Sequence, residues 1–79
     1  MLDILATTVA AHLARASFTV TDSRVEGVHV APCGGYVEVR FAWDSGSRNM
    51  REAASAAEAL DRAGFQVTVL DDMELAVRV

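Results

Sequence analysis

Cys33 and His29 stand four residues apart, and His12 lies further upstream. A thiol and an imidazole are the raw materials of nucleophilic catalysis or of metal ligation. A nucleophilic cysteine needs a base beside it and a lowered pKa. The Pro-Cys-Gly-Gly context of Cys33 predicts an exposed turn, with His29 near it only if a hairpin brings the two together. A structural zinc site wants four ligands at closed spacing, usually with a cysteine pair. Two histidines and a single cysteine do not meet that requirement. The carboxylates are scattered, and no pair reads as an acid/base couple. The expectation is therefore a chain with no catalytic residue, no metal and no cofactor.

A second constellation is "DSGSRNMR", residues 44–51. Backbone N–H groups at a helix start, flanked by basic side chains, form a recipe for binding phosphate or carboxylate. Ser47, Arg48 and Arg51 are the candidate anion-site residues. The stretch lacks the glycine spacing and the lysine of a phosphate-binding loop, and the plainer reading is a helix cap with solvated arginines. Two arginines in a first turn slightly oppose the helix dipole.

The third constellation is spread over two alternating runs. Tyr36, Glu38 and Arg40 fall on one side of "YVEVRFAW", and Glu74 and Arg78 on the matching side of "ELAVRV". Acidic and basic residues on facing strands suit cross-strand pairing. The same residues form the candidate interaction face, with Tyr36 and the arginines as anchors. An RNA platform would want two or three aromatics there, and only Tyr36 is present.

These residues need elements to hold them. Residues 2–16 repeat Leu2, Leu5, Val9, Leu13 and Ala16 at helical spacing, with His12 beside the stripe. "RVEGVHVA" (24–31) alternates in part, with Gly27 as a bulge signal. "APCGG" (31–35) reads as a turn. Residues 36–43 alternate cleanly, with Val37, Val39, Phe41 and Trp43 on the core side. Asp44, Ser45, Ser47 and Asn49 are all competent helix caps, and Asn49 with Glu52 has the spacing of a capping box. The second helix runs to about Ala63, with Met50, Ala53, Ala54, Ala57 and Leu60 inward, and Gly64 stops it. "FQVTVL" (65–70) and "ELAVRV" (74–79) alternate across a "DDM" turn, the pattern of an antiparallel hairpin.

The order is αββαββ, and the halves echo each other. "LARASFTVT" (13–21) and "LDRAGFQVT" (60–68) agree at six of nine positions. The expectation is one domain over residues 1–79, in repeat-like halves of about 1–43 and 44–79. Nine extra residues in the first half are assigned to "TDSRVEG" (21–27) as a loop, a bulge or a short added strand. An αββ unit repeated about a pseudo-two-fold predicts an α+β fold of two layers. Its mainly antiparallel four-stranded sheet runs 3-4-2-1, with both helices on one face. By geometry this is a circular permutation of the ferredoxin-like split βαβ arrangement. Phe18 and Phe65 are expected to start strands and plug the space between helix and sheet, sharing with Phe41 and Trp43 most of the core volume.

A chain of 79 residues buries about 60–65% of its unfolded surface, and one unpaired cysteine provides no disulfide framework. A lone thiol points to a reducing cytoplasm. The apolar N-terminal run carries Asp3 and no early basic residue, a poor signal peptide, and no segment has the length of a membrane span. Net charge is −4, against a general nucleic-acid binder. All seven basic residues are Arg and fourteen residues are Ala, a coding bias suggesting a bacterial or phage genome. The functional expectation is a small non-enzymatic protein-interaction or regulatory module that forms a homodimer, because a small domain with open sheet edges gains from covering them. The alternative is a nucleic-acid-binding module using the open sheet face or the helix start at Arg48 and Arg51.

Overall fold

The computed structural model describes residues 2–22 and 24–79. Two helices and four strands follow in the expected order: α1 (Leu2–Arg15), β1 (Val28–Cys33), β2 (Tyr36–Phe41), α2 (Gly46–Arg62), β3 (Gln66–Asp71) and β4 (Glu74–Arg78). The strands form one antiparallel sheet in the order β1-β2-β4-β3, the predicted arrangement named from its other edge. Both helices pack on the same face. Val9 and Leu13 of α1 join Ala53, Ala56 and Leu60 of α2 over Val28, Val37, Val39, Phe41, Leu75 and Val77, all buried. Phe18 and Phe65 pack against the rim of this cluster, and the Phe18 ring meets Phe41 edge-on at 6.5 Å. His12 lies half-buried, its ring edge-on to Phe65 at 6.2 Å.

The two copies of the repeated sequence end their helices with one backbone device. Ser17 takes φ 73 and Gly64 φ 97. Phe18 N–H donates to the Leu13 carbonyl at 3.0 Å, and Phe65 N–H to Leu60 at 3.1 Å. Ser17 N–H donates to Ala14, and Gly64 N–H to Asp61. These paired bonds are a Schellman motif, which satisfies the last helical carbonyls by turning one residue left-handed. Neither phenylalanine begins a regular strand: β3 starts one residue after Phe65, and Phe18 leads only to an isolated parallel bridge between Val20 and Val28.

That bridge is the added piece of the first half. Val28 N–H donates to the Thr19 carbonyl and Thr21 N–H to the Val28 carbonyl, both at 2.9 Å. The close approach depends on Gly27. It is buried at φ 144, and a Cβ there would lie 2.6 Å from Thr21 Oγ1 and 2.9 Å from the Thr19 carbonyl. Gly27 thus makes room for the Thr19–Thr21 segment; it precedes the sheet rather than bulging within it. Among the described residues the register shifts in the β3–β4 pair, between Val69 and Asp71, which leaves Leu70 unpaired.

Several boundaries and faces differ from the sequence reading. Strand β1 begins at Val28 and includes Pro32 and Cys33, because Gly34 and Gly35 alone make the turn and Gly34 takes φ 62. Strand β2 stops at Phe41, and Trp43 lies half-buried beyond it. Ser45 caps α2 by accepting the Arg48 N–H at 3.3 Å. Asn49 is therefore no cap: it lies within the helix and is buried. The inner stripe of α2 is Asn49, Ala53, Ala56 and Leu60, while Met50 and Ala54 are exposed and Ala57 is half-buried. In α1, Ala16 is exposed and outside the helix, and the Leu2 side chain lies outside the described residues.

Candidate interaction surface

The uncovered face of the sheet brings Tyr36, Glu38, Arg40, Glu74 and Arg78 together, as alternation requires. Glu38 stands opposite Ala76 and Arg40 opposite Glu74 in the β2–β4 register. The Arg78 guanidinium lies 5.2 Å from the centre of the Tyr36 ring. The Cys33 thiol donates to the Tyr36 hydroxyl at 3.5 Å, and the phenol pKa is raised, chiefly by that bond and by the neighbouring thiol. Burial raises the Glu74 carboxyl above its ordinary 4.5, helped by the neighbouring Asp71 and Glu38 carboxylates; Arg40 pulls the other way. Small Ala76 at the centre is buried. The face is thus a tight, mixed-charge lattice with a single aromatic among its members.

Cys33 and His29 share this side of β1 but do not meet. Four residues of strand separate them by about 13 Å. The His29 Nε2–H donates to the Val25 carbonyl at 2.7 Å, while half-buried Cys33 is occupied by Tyr36. No nucleophile–base contact links these two.

At the start of α2, Arg48 is already engaged. Its Nε lies 2.9 Å from Glu52 Oε2, and its guanidinium stacks 3.5 Å above the Trp43 ring. Glu52 Oε1 in turn accepts the indole N–H at 2.9 Å. Asn49 completes the knot: it accepts Trp43 N–H at 2.8 Å and donates to the Trp43 carbonyl at 3.2 Å and the Met73 sulfur at 3.5 Å. Ser47 contacts the cap Ser45 side chain, and Arg51 reaches back to the Ser47 carbonyl. Arg48 and Arg51 line a groove against residues Ala16–Thr19, and Glu52, paired to Arg48, lines it too. That carboxylate opposes an incoming anion.

No protein-family model, curated protein or solved structure matches the chain. Function must be argued from the surface itself.

The two sheet edges provide the sharpest contrast. Strand β1 is paired near its start by Thr19–Thr21 and carries Pro32, which has no N–H to offer. Strand β3 has neither guard. Among the described residues nothing pairs its outer side, and "QVTVLD" contains no Pro or Lys. Val69 is 63% exposed, and Leu70, Met50 and Met73 near it are exposed too. A mostly apolar groove lies between α2 and β3, lined by Met50, Ala53, Ala54, Val69 and Leu75 together with Asp71 and Asp72. The sequence carries this signal in the absence of a charge or proline from residues 66–70, but alternation alone could not say which strand lay at an open edge.

Proposed function

We propose that the protein is a small non-enzymatic interaction or regulatory module that acts as a homodimer in a reducing cytoplasm. One observation carries the reading: an edge strand with free backbone groups and exposed apolar side chains, without the proline or covering segment of the β1 edge and interrupted only near its end by the register shift at Leu70. Small domains are marginally stable, and covering apolar area contributes roughly 25 cal/mol per Å². The single cysteine, held on Tyr36, supports the reducing compartment.

The nucleic-acid alternative has less behind it. The sheet face presents one aromatic and two glutamates, the Arg48 guanidinium is held by Glu52, and net charge is −4. Sedimentation equilibrium over a concentration series tests the leading reading. A mass rising from 8.5 kDa toward twice that value is expected. A constant monomer mass up to millimolar protein would overturn it.

A further inference from the structure

We propose that the groove between α2 and β3 docks a cationic apolar segment of another protein, with one aliphatic side chain seated in the groove and a neighbouring lysine or arginine held by Asp71 and Asp72. This goes beyond the homodimer reading, since side chains make the contact and no pairing along the β3 backbone is needed. Four of the seven large apolar residues exposed among those described, Met50, Val69, Leu70 and Met73, lie in or beside this one groove. Single exposed apolar side chains are ordinary, but a group of them rimmed by charge marks an interaction site. Size points to a side chain rather than a small molecule. The groove holds about 160 Å³, whereas drug-sized ligands occupy about 300–1,000 Å³. One anchor residue of a partner is the occupant that fits such a seat. Ala53 and Ala54 leave the space open, and Met50 provides an adaptable wall.

Charge selects the chemistry of the occupant. Neither Asp71 nor Asp72 is ion-paired among the described residues. Asp71 Oδ1 accepts the Met73 N–H at 2.8 Å, which positions the carboxylate and leaves it without a cation. Glu74 registers the local field: burial raises its carboxyl first, and Asp71 next. Two carboxylates beside apolar walls favour an ammonium or guanidinium on a hydrophobic neighbour, and they repel an anionic membrane surface. A second copy of the chain is the poorer occupant. Its Arg24, Arg48 and Arg62 are ion-paired, Arg40 stands opposite Glu74, and Arg78 lies over Tyr36. Arg15 and Arg51 each bond a carbonyl of their own helix. The chain has no lysine. The cation therefore comes from a different protein.

The test titrates the full chain into a fluorescein-labelled seven-residue peptide alternating lysine and leucine. Anisotropy reads the affinity, and amide NMR shifts locate the contact. Saturable binding that moves the amides of Met50, Ala54, Val69 and Asp72 is expected, weakened by added salt. Ala54→Trp fills the groove from an exposed helix position. Asp71→Asn with Asp72→Asn removes the charge and keeps an acceptor for the Met73 N–H. Each variant should weaken binding at least about tenfold, and so should serine for leucine or glutamate for lysine in the peptide. No binding of the lysine–leucine peptide, shifts confined to another surface, or equal affinity for either control peptide overturns the proposal. So does affinity unchanged in both protein variants. Shifts at these amides that follow protein concentration without peptide give the groove to a second copy, and an equal effect of hexylammonium gives it to a small amine; either result overturns this occupant. The homodimer reading is separate, because it stands or falls on the sedimentation mass of the peptide-free chain.

Discussion

Ser17 and Gly64, 47 positions apart, hold the same left-handed backbone at the ends of their helices, φ 73 and 97, each followed by a phenylalanine whose N–H reaches back to a leucine carbonyl. The two residues differ in cost. Glycine enters that region freely, whereas a residue with a Cβ is strained there by about 1–2 kcal/mol. Ser17→Gly should therefore stabilise the fold by about 0.5–1 kcal/mol, and Gly64→Ala should destabilise it by about 1 kcal/mol. Urea denaturation with unchanged slope would check both. A Ser17→Gly protein less stable than its parent would contradict the strain argument.

Gly27 is the glycine least able to change. A methyl group there meets both the Thr21 side chain and the Thr19 carbonyl under 3 Å, at a φ that L-residues avoid. Gly27→Ala should cost about 2–3 kcal/mol and release the Thr19–Thr21 segment, seen as loss of amide protection at Thr21 and Val28. Gly35→Ala, with nothing within 4 Å of the new carbon, is the control and should change stability little.

Asn49 is the buried polar residue on the α2 stripe, satisfied through Trp43. Asn49→Ala should leave the Trp43 amide and carbonyl without their partner and cost about 2–3 kcal/mol. Trp43 fluorescence should shift as well, since the indole, Arg48 and Glu52 form one stack. An unchanged spectrum and stability would place the anchoring of this loop elsewhere.

Glu74 has a carboxyl pKa raised in the folded state above its ordinary 4.5. Between those two values the native chain binds more proton than the unfolded one. Stability from this group is full below about pH 4.5 and is lost as pH rises through the folded value. Glu74→Gln should thus be the more stable protein at pH 7, with its advantage over the parent shrinking on acidification toward pH 4. Thermal melts across pH 4–8 would read it. An advantage that grows on acidification would reverse the sign and the argument.

Much of the architecture was legible because periodicity is local. Alternation in residues 36–41 and 74–78 assigned Val37, Val39 and Val77 to the core and Tyr36, Glu38 and Arg78 to the opposite face, as the structure has them. The phase of α2 was harder. Alanines occur at 53, 54, 56, 57 and 59, all around the helix, so hydrophobicity barely distinguishes one stripe from the next. Packing chose Asn49, Ala53, Ala56 and Leu60 because Asn49 could satisfy its amide on the Trp43 backbone. A polar residue reads as exposed until its partner, six residues back across a cap, is known.

The chain order of amino acids, taken alone, determined the elements, the sheet order and the two matching helix ends, since each follows from spacing, steric freedom and short connections. Tertiary structure decided which edge is guarded. The segment around Val20 returns to pair with Val28 across a buried glycine, while β3 receives no such cover. Alternation assigns a side chain to a face but says nothing of which strand has a neighbour, and free edge hydrogen bonds exist only once all the strands have taken their places.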